Sequence, residues 1–173
     1  KMMYEKLLES NFEDTDSIMA LIRINYNEKS FEGVIEYSNK LINIEEDSII
    51  GHRFLYRAHI NLDNLESAVH HLNAIVNSDE NDVEALVELG RTKYKMKEFP
   101  QAKKVLEKVL TLEKGERRAC RTLALIYDRE GNWDSASKLY QAECETDPYL
   151  FSNWEKYISL LYKLNRVEEA KQC

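Results

Sequence analysis

Residues 117–150 read RRACRTLALIYDREGNWDSASKLYQAECETDPYL. Cys120, Leu123, Ala124 and Tyr127 follow helical spacing, and so do Trp133, Ala136, Tyr140 and Cys144 further on. Between the two runs Gly131-Asn132 marks a tight turn. Asp147-Pro148 closes the second run, because the residue before proline is pushed out of helical geometry and the ring cannot continue the helix behind it. The stretch therefore predicts a helix, a turn and a second helix.

The same pattern recurs in both directions with a period of 34 residues and no insertion or deletion. Val34, Ala68, Ala102, Ala136 and Ala170 form one column. Phe31, Leu65, Phe99, Trp133 and Val167 precede them by three residues, Leu21, Leu55, Leu89, Leu123 and Tyr157 form an earlier apolar column, and Leu41, Ile75 and Val109 a later one. Pro100 suits the first turn of a helix, where its missing N–H would have had no intrahelical partner. The units predicted are 15–48, 49–82, 83–116, 117–150 and a truncated 151–173. Residues 1–14 fit the second helix of a preceding unit, with Tyr4 and Leu7 in the columns of Tyr140 and Leu41. Neither end carries a polar capping element, which predicts a segment of a longer protein.

Composition agrees with an all-α chain. The 173 residues hold only five glycines and two prolines, too few for an all-β fold that turns every ten residues or for a disordered linker. No apolar run approaches the roughly 18 residues of a membrane helix, so no membrane insertion is expected. Cys120, Cys144 and Cys173 are odd in number and lack the close spacing of a zinc or redox motif, and they read as reduced thiols of a cytoplasmic protein.

With Leu123, Ala124, Tyr127, Gly131, Trp133, Ala136, Tyr140 and Pro148 at their observed spacing, 117–150 resembles the tetratricopeptide repeat. Leu89-Gly90, Phe99 and Ala102 extend the resemblance to 83–116, and Trp154 opens the last unit. Units 15–48 and 49–82 are more degenerate, with Ile22 and Tyr56 where a small residue is usual and Ser38 in a column normally large and apolar. The resemblance implies an α-solenoid, a right-handed superhelix of helix-turn-helix units whose first helices line a concave face. It also implies a non-catalytic scaffold that binds a partner protein or peptide there. The alternative is an accessory domain of a larger enzyme, such as a glycosyltransferase, that positions an anionic polymer or forms a dimer.

In similar proteins six positions of each first helix face the groove. Here those thirty positions carry ten basic and five acidic residues on a chain of net charge −7, which predicts a basic groove on an acidic protein. The candidate groove residues are Arg23, Tyr26, Asn27, Arg53, Arg57, Asn61, Arg91, Tyr94, Lys95, Arg118, Arg121, Arg129, Lys156, Tyr162 and Lys163. Arg57 and Arg91 lead them. Forked arginines suit carboxylates, and tyrosines offer contact area at little rotamer cost, so an acidic extended peptide is the expected ligand. A second reading has the same arginines pairing with Glu84, Glu88 or Asp128 of neighbouring units. The family's two-carboxylate clamp for chaperone C-termini needs a lysine and an asparagine four apart in one first helix, and no unit has that pair.

No catalytic residue, metal ligand or cofactor is expected. His52 and His59 are two helical turns apart, too far to share an ion, and with His70-His71 read as packing residues. Cys120 and Cys144 lie in apolar stripes, and Trp133, Tyr127 and Tyr140 read as core. The chain lacks a Gly-rich phosphate loop, a nucleophile elbow and a metalloprotease motif. The acidic remainder opposes nucleic acid. A homodimer through the array end is expected to use Leu161, Val167 and Ala170, as an exposed stacking face.

Overall fold

Residues 1–11 and 14–172 are described by the structure, a computed structural model. Among them the chain forms eleven helices: α1 Met2–Ser10, α2 Thr15–Asn27, α3 Phe31–Ile44, α4 Ile49–Asn61, α5 Leu65–Ser78, α6 Val83–Lys95, α7 Phe99–Leu112, α8 Arg117–Arg129, α9 Trp133–Thr146, α10 Phe151–Lys163 and α11 Val167–Ala170. The fold is all-α, built of sequential antiparallel helix pairs. First helices start at Thr15, Ile49, Val83, Arg117 and Phe151, in step with the period of the sequence.

One backbone device makes each hairpin. Lys29, Asp63, Lys97, Gly131 and Asn165 all take positive φ, between 57° and 74°, at the same point of the turn. A left-handed residue there ends the first helix and reverses the chain within three residues. Four of the five are not glycine and accept a penalty of roughly 1–2 kcal/mol that Gly131 avoids, with Asp63 and Asn165 best suited among them. Pro100 occupies the first turn of α7. Side-chain caps are supplied by Asn64, Glu116 and Asn132, each accepting from the backbone N–H three residues on.

The helices divide into two compact units, Lys1–Ala85 and Leu86–Cys173, and the division falls inside α6. In the first unit α1 packs on α2, α2 on α3, α3 on α4 and α4 on α5. Its core holds Ile18, Leu21, Ile22, Val34, Leu55, Ala58, Ala68 and Leu72, each with no exposed surface. In the second unit α7 packs on α8, α8 on α9, α9 on α10 and α10 on α11. The small column stays buried there too, at Ala102, Ala136 and Ala170, because a larger side chain would hold the paired helices apart. At Gly90 an added Cβ would lie 2.6 Å from Leu106, so this approach requires glycine.

Two expectations need correction. Trp133 is not core: as the first residue of α9 it stands at the edge of the hairpin, 36% exposed, with the Lys163 ammonium 5.4 Å above its ring. Leu161 and Ala170 do not form an exposed end face. Both are buried with Tyr157 and Leu160, because α11 folds back onto α10 and covers them. Tyr140 is buried as expected, and Tyr127 is half-buried with its hydroxyl donating to Glu107 at 2.8 Å. Among the described residues no helix is long and apolar enough to cross a membrane.

Candidate functional site

Arg91, Tyr94 and Lys95 share one face of α6, and Arg118, Arg121, Thr122 and Leu125 share one face of α8. The five groove candidates among these, Arg91, Tyr94, Lys95, Arg118 and Arg121, converge with Thr122 and Leu125 on a single pocket of about 820 Å³, completed by Glu113, Gly115, Glu116, Arg117 and Thr146. Positive φ at Gly115 lets the turn between α7 and α8 close its rim. Five cationic side chains thus line the pocket against two carboxylates.

Each arginine of the pocket is held from behind. The Glu88 carboxylate, 16% exposed, accepts from Arg91 Nη1 at 2.9 Å and Arg118 Nη1 at 3.1 Å on the same oxygen. Arg118 Nε donates to Glu116 at 2.9 Å, and Glu116 also caps α8. Arg117 pairs with Asp147 at 3.1 Å. Arg121 reaches down to Asn153 Oδ1 at 3.3 Å and lies 3.6 Å from the Glu143 carboxylate. Glu143 is 4% exposed; the Oε2 that faces Arg121 also accepts from Asn153 Nδ2 at 2.7 Å, and Oε1 is buried without a hydrogen bond. Burial pushes the Glu143 carboxyl above its ordinary range despite the attraction of Arg121 and Arg117. Lys95 is exposed and makes no ion pair among the described residues.

The first unit has its own charge cluster. Arg53 donates to Asp82, which caps α6 through its other oxygen, and to Glu84 at 2.9 Å. Arg57 donates to the same Glu84 at 2.7 Å and to the Tyr56 hydroxyl at 3.2 Å. Burial alone would raise the Glu84 carboxyl, but Arg57, Arg53 and the Tyr56 hydroxyl outweigh it and hold Glu84 below its ordinary range. Asn61 donates to the Arg57 carbonyl at 2.8 Å.

The remaining candidates are scattered. Tyr26 packs edge-on against Phe31 and Phe54, and Tyr94 against Phe99. Arg129 lies 4.7 Å over the Phe99 ring, and Lys163 pairs with Asp128 at 2.9 Å. Arg23 and Lys156 are exposed without an ion pair among the described residues, and Asn27 and Tyr162 are exposed at helix ends. The acids at 84, 88 and 128 are therefore partners of the groove cations. Sequence columns missed Arg117, which precedes the groove positions. They also missed Glu143 and Asn153, although the signal was there: Glu143 continues the column Leu41, Ile75, Val109, and Asn153 the column Ser17, Gly51, Ala85, Ala119.

Cys120 and Cys144 are buried, and burial, with Glu143 and Glu116 nearby, pushes the Cys120 thiol up to about 11, where it is inert. Cys173 lies outside the described residues. The histidines meet in an arrangement that spacing did not foresee. His52 Nδ1 lies 3.0 Å from His71 Nδ1 across α4 and α5, and His59 stacks on His71 at 5.5 Å. Burial, with the neighbouring histidines, holds His71 neutral, pushed down to about 4.

The family model for the tetratricopeptide repeat matches residues 84–113. Over nearly the whole chain the fold is similar to solved tetratricopeptide proteins. MamA superposes with a TM-score of 0.83 at 20% identity, covering 91% of this chain and 86% of its own. Residues 84–113 thus match a tetratricopeptide repeat, and the fold is that of a tetratricopeptide array. YrrB, described as a tetratricopeptide protein with an unusual peptide-binding site, gives a TM-score of 0.80 at 15% identity over 96% of this chain and 86% of its own. PilF of Pseudomonas aeruginosa gives 0.74 at 19% identity over 91% and 72%. At these identities the likeness to individual tetratricopeptide proteins is one of fold. No curated protein matches the sequence.

Proposed function

We propose that this tetratricopeptide array is a non-catalytic scaffold that holds an acidic, extended segment of a partner protein in the α6–α8 pocket. The observation that carries this reading is the pocket's lining, with Arg91, Lys95, Arg117, Arg118 and Arg121 facing Glu113 and Glu116 across about 820 Å³. The tethers from Glu88, Glu143 and Asp147 favour it in a second way. They fix the guanidinium planes before a ligand arrives, so less rotamer entropy is lost on binding. Arg91 spends one terminal nitrogen on Glu88 and keeps its fork for a bidentate carboxylate. Tyr94, Thr122 and Leu125 supply apolar and hydroxyl contact between the charges. The peptide-binding site described for YrrB, which has the same fold, is consistent with this use.

Fluorescence anisotropy of a labelled Asp/Glu-rich decapeptide tests the reading. Replacing Arg91→Glu together with Lys95→Glu should weaken binding by roughly tenfold per reversed charge; because Arg91 also pairs with Glu88, the melting temperature of the variant is measured alongside to confirm that it is folded. Equal affinity of wild type and variant would contradict the assignment.

A further inference from the structure

All four histidines of the chain, His52, His59, His70 and His71, fall in the single hairpin of α4 and α5. They also touch. The His71 ring lies 5.2 Å from His52, 5.5 Å from His59 and 5.1 Å from His70, centre to centre. Repeat columns show that packing alone does not ask for them. His52 stands with Ile18, Leu86, Cys120 and Trp154, and His71 with Tyr37, Val105 and Leu139. Apolar or weakly polar residues fill these two columns in the other units. Taking a polar ring out of water costs free energy unless each nitrogen finds a partner. One here does not: His59 Nδ1 is buried without a hydrogen bond.

We propose that His52 and His71 are a chelating pair for a divalent transition-metal ion that favours imidazole, of the class of Zn²⁺, Ni²⁺ or Cu²⁺. Two nitrogens bound at about 2.0–2.1 Å and separated by about 90–110° at the ion lie about 2.9–3.4 Å apart. The Nδ1 atoms stand at 3.0 Å, so the helices already hold the chelate spacing. In the metal-free pair one Nδ1 carries the hydrogen shared between the rings. For both nitrogens to coordinate, that hydrogen moves to Nε2 through solvent, and no proton need leave the protein. Both rings are half-buried rather than enclosed, which leaves a side open to water. Among the described residues no three His, Cys, Asp or Glu side chains form a ligand set. The protein therefore supplies two donors and water completes the shell, as suits tetragonal Cu²⁺ or Ni²⁺ best and gives Zn²⁺ one protein ligand fewer than its usual open sites. Bound metal would staple α4 to α5 in the degenerate unit 49–82. This site is independent of the peptide pocket, which lies in the other unit.

Isothermal titration of the chain with ZnCl₂, and with MgCl₂ for comparison, tests the proposal. The expected result is one Zn²⁺ per chain in the micromolar range and no Mg²⁺ binding at the same concentration. Affinity should fall by about tenfold or more in His52→Gln and in His71→Gln, and a Zn²⁺-induced rise in melting temperature should vanish in both. Variants that bind Zn²⁺ as tightly as wild type, or a wild type that binds Mg²⁺ equally well, would overturn it. Pulsed EPR of the Cu²⁺-loaded wild type gives a reading that does not depend on how the variants fold. Coupling to two imidazole nitrogens is expected, and coupling to none or one contradicts the pair.

Discussion

Lys29 and Lys97 hold left-handed backbone that glycine would adopt without strain. Replacing either by glycine removes a steric penalty of roughly 1–2 kcal/mol and adds somewhat less in unfolded-chain entropy, so each variant should gain about 0.5–1 kcal/mol in urea unfolding. Gly131→Ala should lose a similar amount at the same point of its hairpin. Nothing in the sequence around the lysines announces this geometry. Gly131 alone carries the signal, and the other turns are legible only because the period places them in its column. Arg57 shows a different limit. Its column left two readings open, a free groove cation or a partner of Glu84 in the next unit; Glu84 and the Tyr56 hydroxyl engage its Nη2 and Nε, as the second reading has it, and the spacing within one helix could not decide between them.

At the scale of elements, the helix pairs follow from the apolar columns, and the first helices start at Thr15, Ile49, Val83, Arg117 and Phe151, evenly spaced along the chain. The polar exception lies between α9 and α10. Glu143 and Asn153 replace an apolar and a small residue in their columns and bond to each other under Arg121, with Glu143 Oε1 left buried without a hydrogen bond. Removing one partner strands the other, whereas removing both restores the pattern of the other units. Glu143→Val and Asn153→Ala should each cost roughly 1–3 kcal/mol, and the two together should leave stability near or above wild type, a coupling that a double-mutant cycle measures directly. The pH dependence has a definite sign. With its carboxyl raised above the ordinary 4.5, Glu143 contributes stability below that pH and loses it as pH rises through the folded value. The advantage of the double variant should therefore be largest at neutral pH and fade near pH 4. The histidine contact of α4 and α5 escaped the sequence for a related reason: spacing ruled out His52 with His59 on one helix, while the true neighbour, His71, sits on the next.

For the molecule as a whole, a chain of net charge −7 presents a pocket whose lining is basic. Long-range attraction of polyanions is therefore weak, and selectivity comes from short-range contacts inside about one Debye length. Affinity for an acidic peptide should fall as salt rises, but less steeply than for a nucleic-acid protein of equal basic count. The most direct test of the peptide-groove account is NMR titration of the ¹⁵N-labelled chain with the acidic decapeptide. Saturable shifts should gather at Arg91, Lys95, Arg118, Arg121 and Thr122, and Arg91→Glu with Lys95→Glu should abolish them at the same peptide concentration. Shifts confined to other helices, or shifts at these positions that survive the charge reversal, would contradict it.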